Sequence, residues 1–123
     1  IKLFDRSIKI KPDFWQAFNN KGLAYFEKND ITLSVKLFEK AISIEDNAEP
    51  LLGLASCLRF KDIKLALELA KKALAKNPNY VDYNFRKEQL WGDKLQISTE
   101  ILLQNKQLQN DVLIAKSKIN ASS

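Results

Sequence analysis

Ile1–Pro12 reads IKLFDRSIKIKP, and the same phrase returns as VKLFEKAISIED at Val35–Asp46 and as LELAKKALAKNP at Leu67–Pro78. The first two align residue for residue, 34 positions apart. Lys, Leu, Phe, Ile and Ile are identical, and Ile/Val, Asp/Glu, Arg/Lys and Ser/Ala exchange conservatively. The third copy follows after 32 positions. Self-similarity with a period in the low thirties marks a stacked array of helical units, each burying its apolar face on its neighbours. The expected fold class is therefore all-α.

Composition agrees. Three Gly and three Pro leave little material for a strand-and-turn architecture, and 123 residues suit one domain. The net charge of +5 is dispersed: residues 1–48 carry eight Lys/Arg against seven Asp/Glu, residues 49–80 six against three, and residues 81–123 six against five. Only the middle third leans basic, and no run of five like charges occurs, as on a solvated helical surface. Cys57 is the sole cysteine, so no intramolecular disulfide can form, and a reducing, cytoplasmic location is expected. No stretch reaches the roughly 18 apolar residues of a membrane span, so no membrane insertion is expected. A start at Ile1 in mid-repeat, without Met, is expected of a piece of a longer protein.

Outward from the repeated phrase, helical spacing predicts the other elements. Ile1–Lys11 is a helix with Ile1, Phe4 and Ile8 on one stripe, stopped by Pro12. Asp13 is placed to cap a second helix near Phe14–Lys28, with Phe18, Gly22 and Tyr25 inward. Asn29-Asp30 turns the chain into a helix over Thr32–Glu45. Ala48–Phe60, a turn at Lys61-Asp62 and Ile63–Lys76 repeat the unit, with Pro50 tolerated in a first turn. A third first-helix is predicted over Val81–Trp91, ended by Gly92, then a helix over Lys94–Asn105 and a more polar one over Leu108–Ile119, with Asn120–Ser123 frayed.

The pattern resembles the tetratricopeptide repeat, a helix-turn-helix unit of about 34 residues. Its succession of large, small and aromatic positions falls in the first full unit on Phe18, Lys21, Gly22, Tyr25, Ser34, Phe38, Ala41 and Asp46. In the second unit it falls on Leu51, Leu54, Ala55, Leu58, Ala66, Ala70, Ala73 and Pro78. The third offers Asn84, Lys87, Glu88 and Trp91, of which only Trp91 fits. Lys21 stands where Leu is usual, and Asp46 where Pro is. The run Lys87–Leu95, KEQLWGDKL, resembles the closing segment of some cyanobacterial tetratricopeptide proteins. The resemblance implies a right-handed superhelical array with a C-terminal capping helix. Its parts would be the second helix of a truncated repeat (1–12), full repeats at 13–46 and 47–78, a degenerate terminal repeat (79–105) and a capping helix with its tail (106–123).

Catalysis has little to stand on. There is no His, Gly22, Gly53 and Gly92 are isolated rather than a phosphate loop, and Cys57 sits mid-helix between Ala55 and Leu58 like a small core residue. No enzyme activity, cofactor or metal is expected. The resemblance implies instead a concave groove lined by the first helices. Its residues would be Gln16, Asn19, Asn20, Leu23, Phe26 and Glu27, then Glu49, Leu52, Gly53, Ser56, Arg59 and Phe60, then Asp82, Phe85, Arg86 and Gln89. Amides and arginines suit a peptide backbone or carboxylate, and the aromatic and leucine side chains suit apolar contact. The expected partner is a protein or peptide segment. A chaperone-tail carboxylate clamp is not expected, because Asn19, Leu23, Gly53, Asp82 and Arg86 occupy its places and only Arg86 fits. The alternative is a nucleic-acid-binding helical repeat, suggested by the basic middle unit; against it, Asn19, Leu52 and Phe85 do not agree as base-reading positions would. Self-association through the apolar stripe of the truncated N-terminal edge is a further expectation.

Overall fold

The computed structural model describes residues 14–122. The half-repeat Ile1–Pro12, its edge and the Asp13 cap lie outside them. Among the described residues there are seven α-helices and no strand. The four central helices fall where the spacing predicts them: α1 Trp15–Glu27, α2 Ile31–Ile44, α3 Ala48–Leu58 and α4 Ile63–Lys76.

Each hairpin is built by its turn. After α1, Asn29 adopts φ 67°, while its own N–H donates to the Phe26 carbonyl (3.0 Å) and that of Asp30 to the Tyr25 carbonyl (3.0 Å). Asn tolerates this left-handed backbone, and the two bonds satisfy carbonyls that a helix end leaves open. Asp30 Oδ1 then accepts the Leu33 N–H at 3.2 Å and starts α2. Asp62 does the same for α4 through Leu65 N–H, also at 3.2 Å.

Close approach fixes the stack. Phe38 of α2 is fully buried, and a Cβ added at Gly22 or Gly53 would stand 3.0 or 2.7 Å from its ring. Glycine on both α1 and α3 therefore lets two helices close on one aromatic ring. The Ser34 hydroxyl donates to the Gly22 carbonyl at 2.7 Å, so the small-residue contact also carries a hydrogen bond. Tyr25 lies at the margin, with the Lys21 and Lys28 ammonium groups near its ring. Asp46, in the place where proline is usual, instead binds Lys72 (2.7 Å) and Lys76 (3.7 Å) on α4 and so pins the linker to the next hairpin.

Beyond Pro78 the pattern changes. Pro78–Val81 is a 3-10 turn, and the helix predicted over Val81–Trp91 is the six-residue α5, Tyr83–Glu88, capped by Asp82 Oδ2 on the Phe85 N–H (2.9 Å). Gly92 does not end it. The left-handed residue is Leu90, at φ 68°, and Gly92 (φ −77°, ψ 168°) is instead the extended residue that precedes α6, Asp93–Leu103. Stopping α5 early turns Trp91 inward and lets α6 fold back over α1 and α3 rather than pair beside α5. A second 3-10 turn, Lys106–Leu108, leads into α7, Gln109–Ser122, which runs past the predicted end at Ile119. Through Leu108, Val112 and Ala115, α7 and its lead-in join the core and close the end formed by α4 and Pro78–Val81.

Candidate binding groove

The first helices α1 and α3 present one shared face, and α6 of the same chain lies on it. The face holds α6 at its start, middle and flank.

At the start, Gly92 offers no side chain to cap the helix. Glu27 does so from α1: Oε1 accepts the Lys94 N–H and Oε2 the Leu95 N–H, both at 3.0 Å. A carboxylate on two free N–H groups at the positive end of a helix is a favourable pairing. Glycine at 92 leaves room for this carboxylate, since a Cβ there would stand 2.3 Å from Glu27 Cδ and the Glu27 side chain would have to shift. Lys94 adds a bond from Nζ to Asn29 Oδ1 at 3.0 Å.

In the middle, hydroxyls replace the small apolar residues that join the hairpins. Ser56 Oγ lies 2.7 Å from Thr99 Oγ1, Ser98 Oγ donates to the Ser56 carbonyl at 2.8 Å, and Arg59 Nε donates to Ser98 Oγ at 2.8 Å. Leu23, Phe26, Leu52, Leu95 and Leu102 belong to the surrounding apolar core.

At the flank, Glu49 accepts the Trp91 indole N–H (3.0 Å) and the Tyr80 hydroxyl (3.3 Å), and it also hydrogen-bonds Asn19. Burial raises the Glu49 carboxyl above its ordinary range, against the three donors that favour its charge. Arg86 is 0% exposed. It donates to Gln96 Oε1 (2.7 Å) and the Tyr80 carbonyl (2.8 Å) and pairs with Glu100. Desolvation lowers its guanidinium, offset by Glu100.

The structure thus brings together most of the sequence-named groove residues, but around α6. Glu27, Glu49, Ser56, Arg59 and Arg86 hold α6 or the residues leading into it, and Leu23, Phe26 and Leu52 are buried with the core. Asn19 is 1% exposed, and its Oδ1 has no partner. Gln16 and Asn20 are half-buried. Gly53 lies under Phe38. Asp82 caps α5, Phe85 packs edge-on against Tyr80 (4.9 Å between ring centres), and Gln89 is half-buried beside the break after α5. Phe60 remains open to solvent, with the Arg59 guanidinium 3.9 Å from its ring centre. It borders a cleft of about 360 Å³ whose lining includes Phe26, Cys57, Lys94 and Ile97. The Cys57 thiol there is pushed up to about 12 by burial, so it stays protonated at neutral pH.

The groove's occupant was the part sequence reasoning missed. One signal was present: α6 carries Leu95 and Leu102 on one side and Ile97 and Ile101 on the other, with Ser98-Thr99 between, so it is apolar on two faces.

Among the described residues no helix is long and apolar enough to cross a membrane, and no cluster of His, Cys, Asp and Glu could hold a metal ion. Residues 16–47, which span α1 and α2, match the family model described as Tetratricopeptide repeat. No curated protein and no solved structure matches the chain.

Proposed function

We propose that this chain, which carries a tetratricopeptide repeat at residues 16–47, is a non-catalytic protein–protein interaction scaffold whose α1–α3 groove holds a helix. One observation carries this reading: a helix, α6, already lies there, held at its N-terminus by Glu27 and at its middle by Ser56 and Arg59. Docking a helix in a groove needs spaced anchors and a partner for the helix end, and this face supplies both. A partner helix of similar pattern takes the place of α6. The proposed contact set is the one read from the sequence, with Phe60 and its cleft as the part open while α6 is in place.

The test is a labelled peptide copying residues 93–105, titrated into the wild-type chain and into a Ser98→Glu, Thr99→Glu variant whose own α6 is weakened. The peptide is expected to bind the variant at least tenfold more tightly than wild type, and addition of Glu27→Ala to the variant is expected to remove most of that binding. Equal, negligible binding to both chains, with the variant still folded by circular dichroism, overturns the proposal.

A further inference from the structure

While one side of α6 is buried, the other exposes Ile97 and Ile101, one turn apart, at 61% and 46%. They form a ridge with a furrow on each side. On one flank lie the Phe60 cleft and a smaller one of about 240 Å³ bordered by Phe60, Ile63 and Ile101. On the other, Tyr83, Gln96 and the same two isoleucines line a furrow of about 440 Å³. Phe60, Ile63 and Tyr83 are themselves exposed, so the apolar surface runs across the whole face. A contiguous patch of this kind on a folded chain marks an interaction site.

The charges around it are sorted. The Tyr83 furrow is bordered by Asp93 and Glu100, while the Phe60 side carries Arg59 and Lys94. Helical geometry gives the same division, because Asp93 and Glu100 fall to one side of the Ile97–Ile101 line and Lys94 to the other. Glu100, Arg59 and Lys94 also serve the chain itself, through Arg86, Ser98 and Asn29. Asp93 and Lys94 are the side chains at the exposed start of the ridge.

A face that is acidic on one margin, apolar along the middle and basic on the other complements itself. A two-fold axis running along α6 sets each copy's acidic margin against its partner's basic margin and the two apolar ridges against each other. An axis across α6 would set like charges together. We propose that this ridge is a homodimer interface whose occupant is the α6 ridge of a second copy of this chain. The proposal does not depend on exchange of α6 from the groove.

The test uses the whole chain and sedimentation equilibrium across micromolar to hundreds of micromolar concentration. The wild type is expected to reach twice its 14.1 kDa, and an Ile97→Asp, Ile101→Asp double variant to remain monomeric with an unchanged circular dichroism spectrum. Asp93→Lys places a base on the acidic margin and Lys94→Glu an acid on the basic margin, so each variant alone is expected to dimerise at least tenfold more weakly. Mixed together, the two restore association, and added salt weakens it. A wild type that stays monomeric throughout overturns the proposal, and so does a dimer that survives the isoleucine changes. Failure of the mixture to recover dimer overturns it as well, and a different partner's helix would then be the occupant.

Discussion

Leu90 holds a backbone conformation suited to glycine. At φ 68° its Cβ crowds the following carbonyl, a cost of about 1 kcal/mol for a residue other than Gly. Its side chain is almost fully exposed and recovers little of this. The conformation persists because Trp91 and Leu90 donate to the Arg86 and Lys87 carbonyls and close the end of α5. Leu90→Gly is expected to raise the melting temperature by a few degrees, after the loss to glycine's greater freedom when unfolded. Arg86 is the opposite case. Arg86→Met leaves Gln96 Oε1 and the Tyr80 carbonyl without their buried donor, while the half-exposed Glu100 can be hydrated, and a cost of about 1–3 kcal/mol is expected in denaturant unfolding. Glu49 adds a pH dependence. Burial raises its folded pKa above the unfolded value, so the folded chain binds this proton more readily than the unfolded chain. Its contribution is greatest at low pH and is lost as pH rises through the raised pKa. Glu49→Gln keeps an acceptor for the Trp91 indole and is expected to flatten stability against pH above about 4.5, read as melting temperature across a pH series.

Among the elements, α6 is the one whose position rests on a few named bonds. Its N-terminus is satisfied by Glu27, 67 positions earlier in the chain. Glu27→Ala removes the acceptor for two N–H groups, and Gly92→Ala displaces the carboxylate by steric contact. Each is expected to cost about 1–2 kcal/mol, the usual scale of a lost helix cap. The loss should appear as faster hydrogen exchange confined to the α6 amides, with α2 and α4 unaffected. The hairpin helices have no such dependence. Their contacts are made by Ala41, Ala66, Ala70 and Ala73, all fully buried, and by the two glycines on Phe38.

For the whole molecule, α6 ties both hairpins to α5, because it touches α1 and α3 and also binds Arg86 through Gln96 and Glu100. The described part of the chain is therefore expected to unfold in one cooperative transition. In the Ser98→Glu, Thr99→Glu variant, the indole signal of Trp91 is expected to change at lower denaturant than the helical circular dichroism signal. Across the chain, the repeated phrase and its 3.6-residue spacing were enough to give an all-α array and to place α1 to α4 within a residue or two. The turns at Asn29-Asp30 and Lys61-Asp62 were legible for the same reason: each depends on neighbours within its own unit. Glu27, Ser56 and Arg59 were named through the resemblance, as lining for a partner, and the structure sets them against α6. What fills the groove was decided only by the tertiary structure. Ser56 meets Thr99 across 43 positions, and spacing identifies an apolar face without naming the surface that covers it. A helix apolar on both sides leaves that choice to the shape and hydrogen-bonding groups of the folded groove.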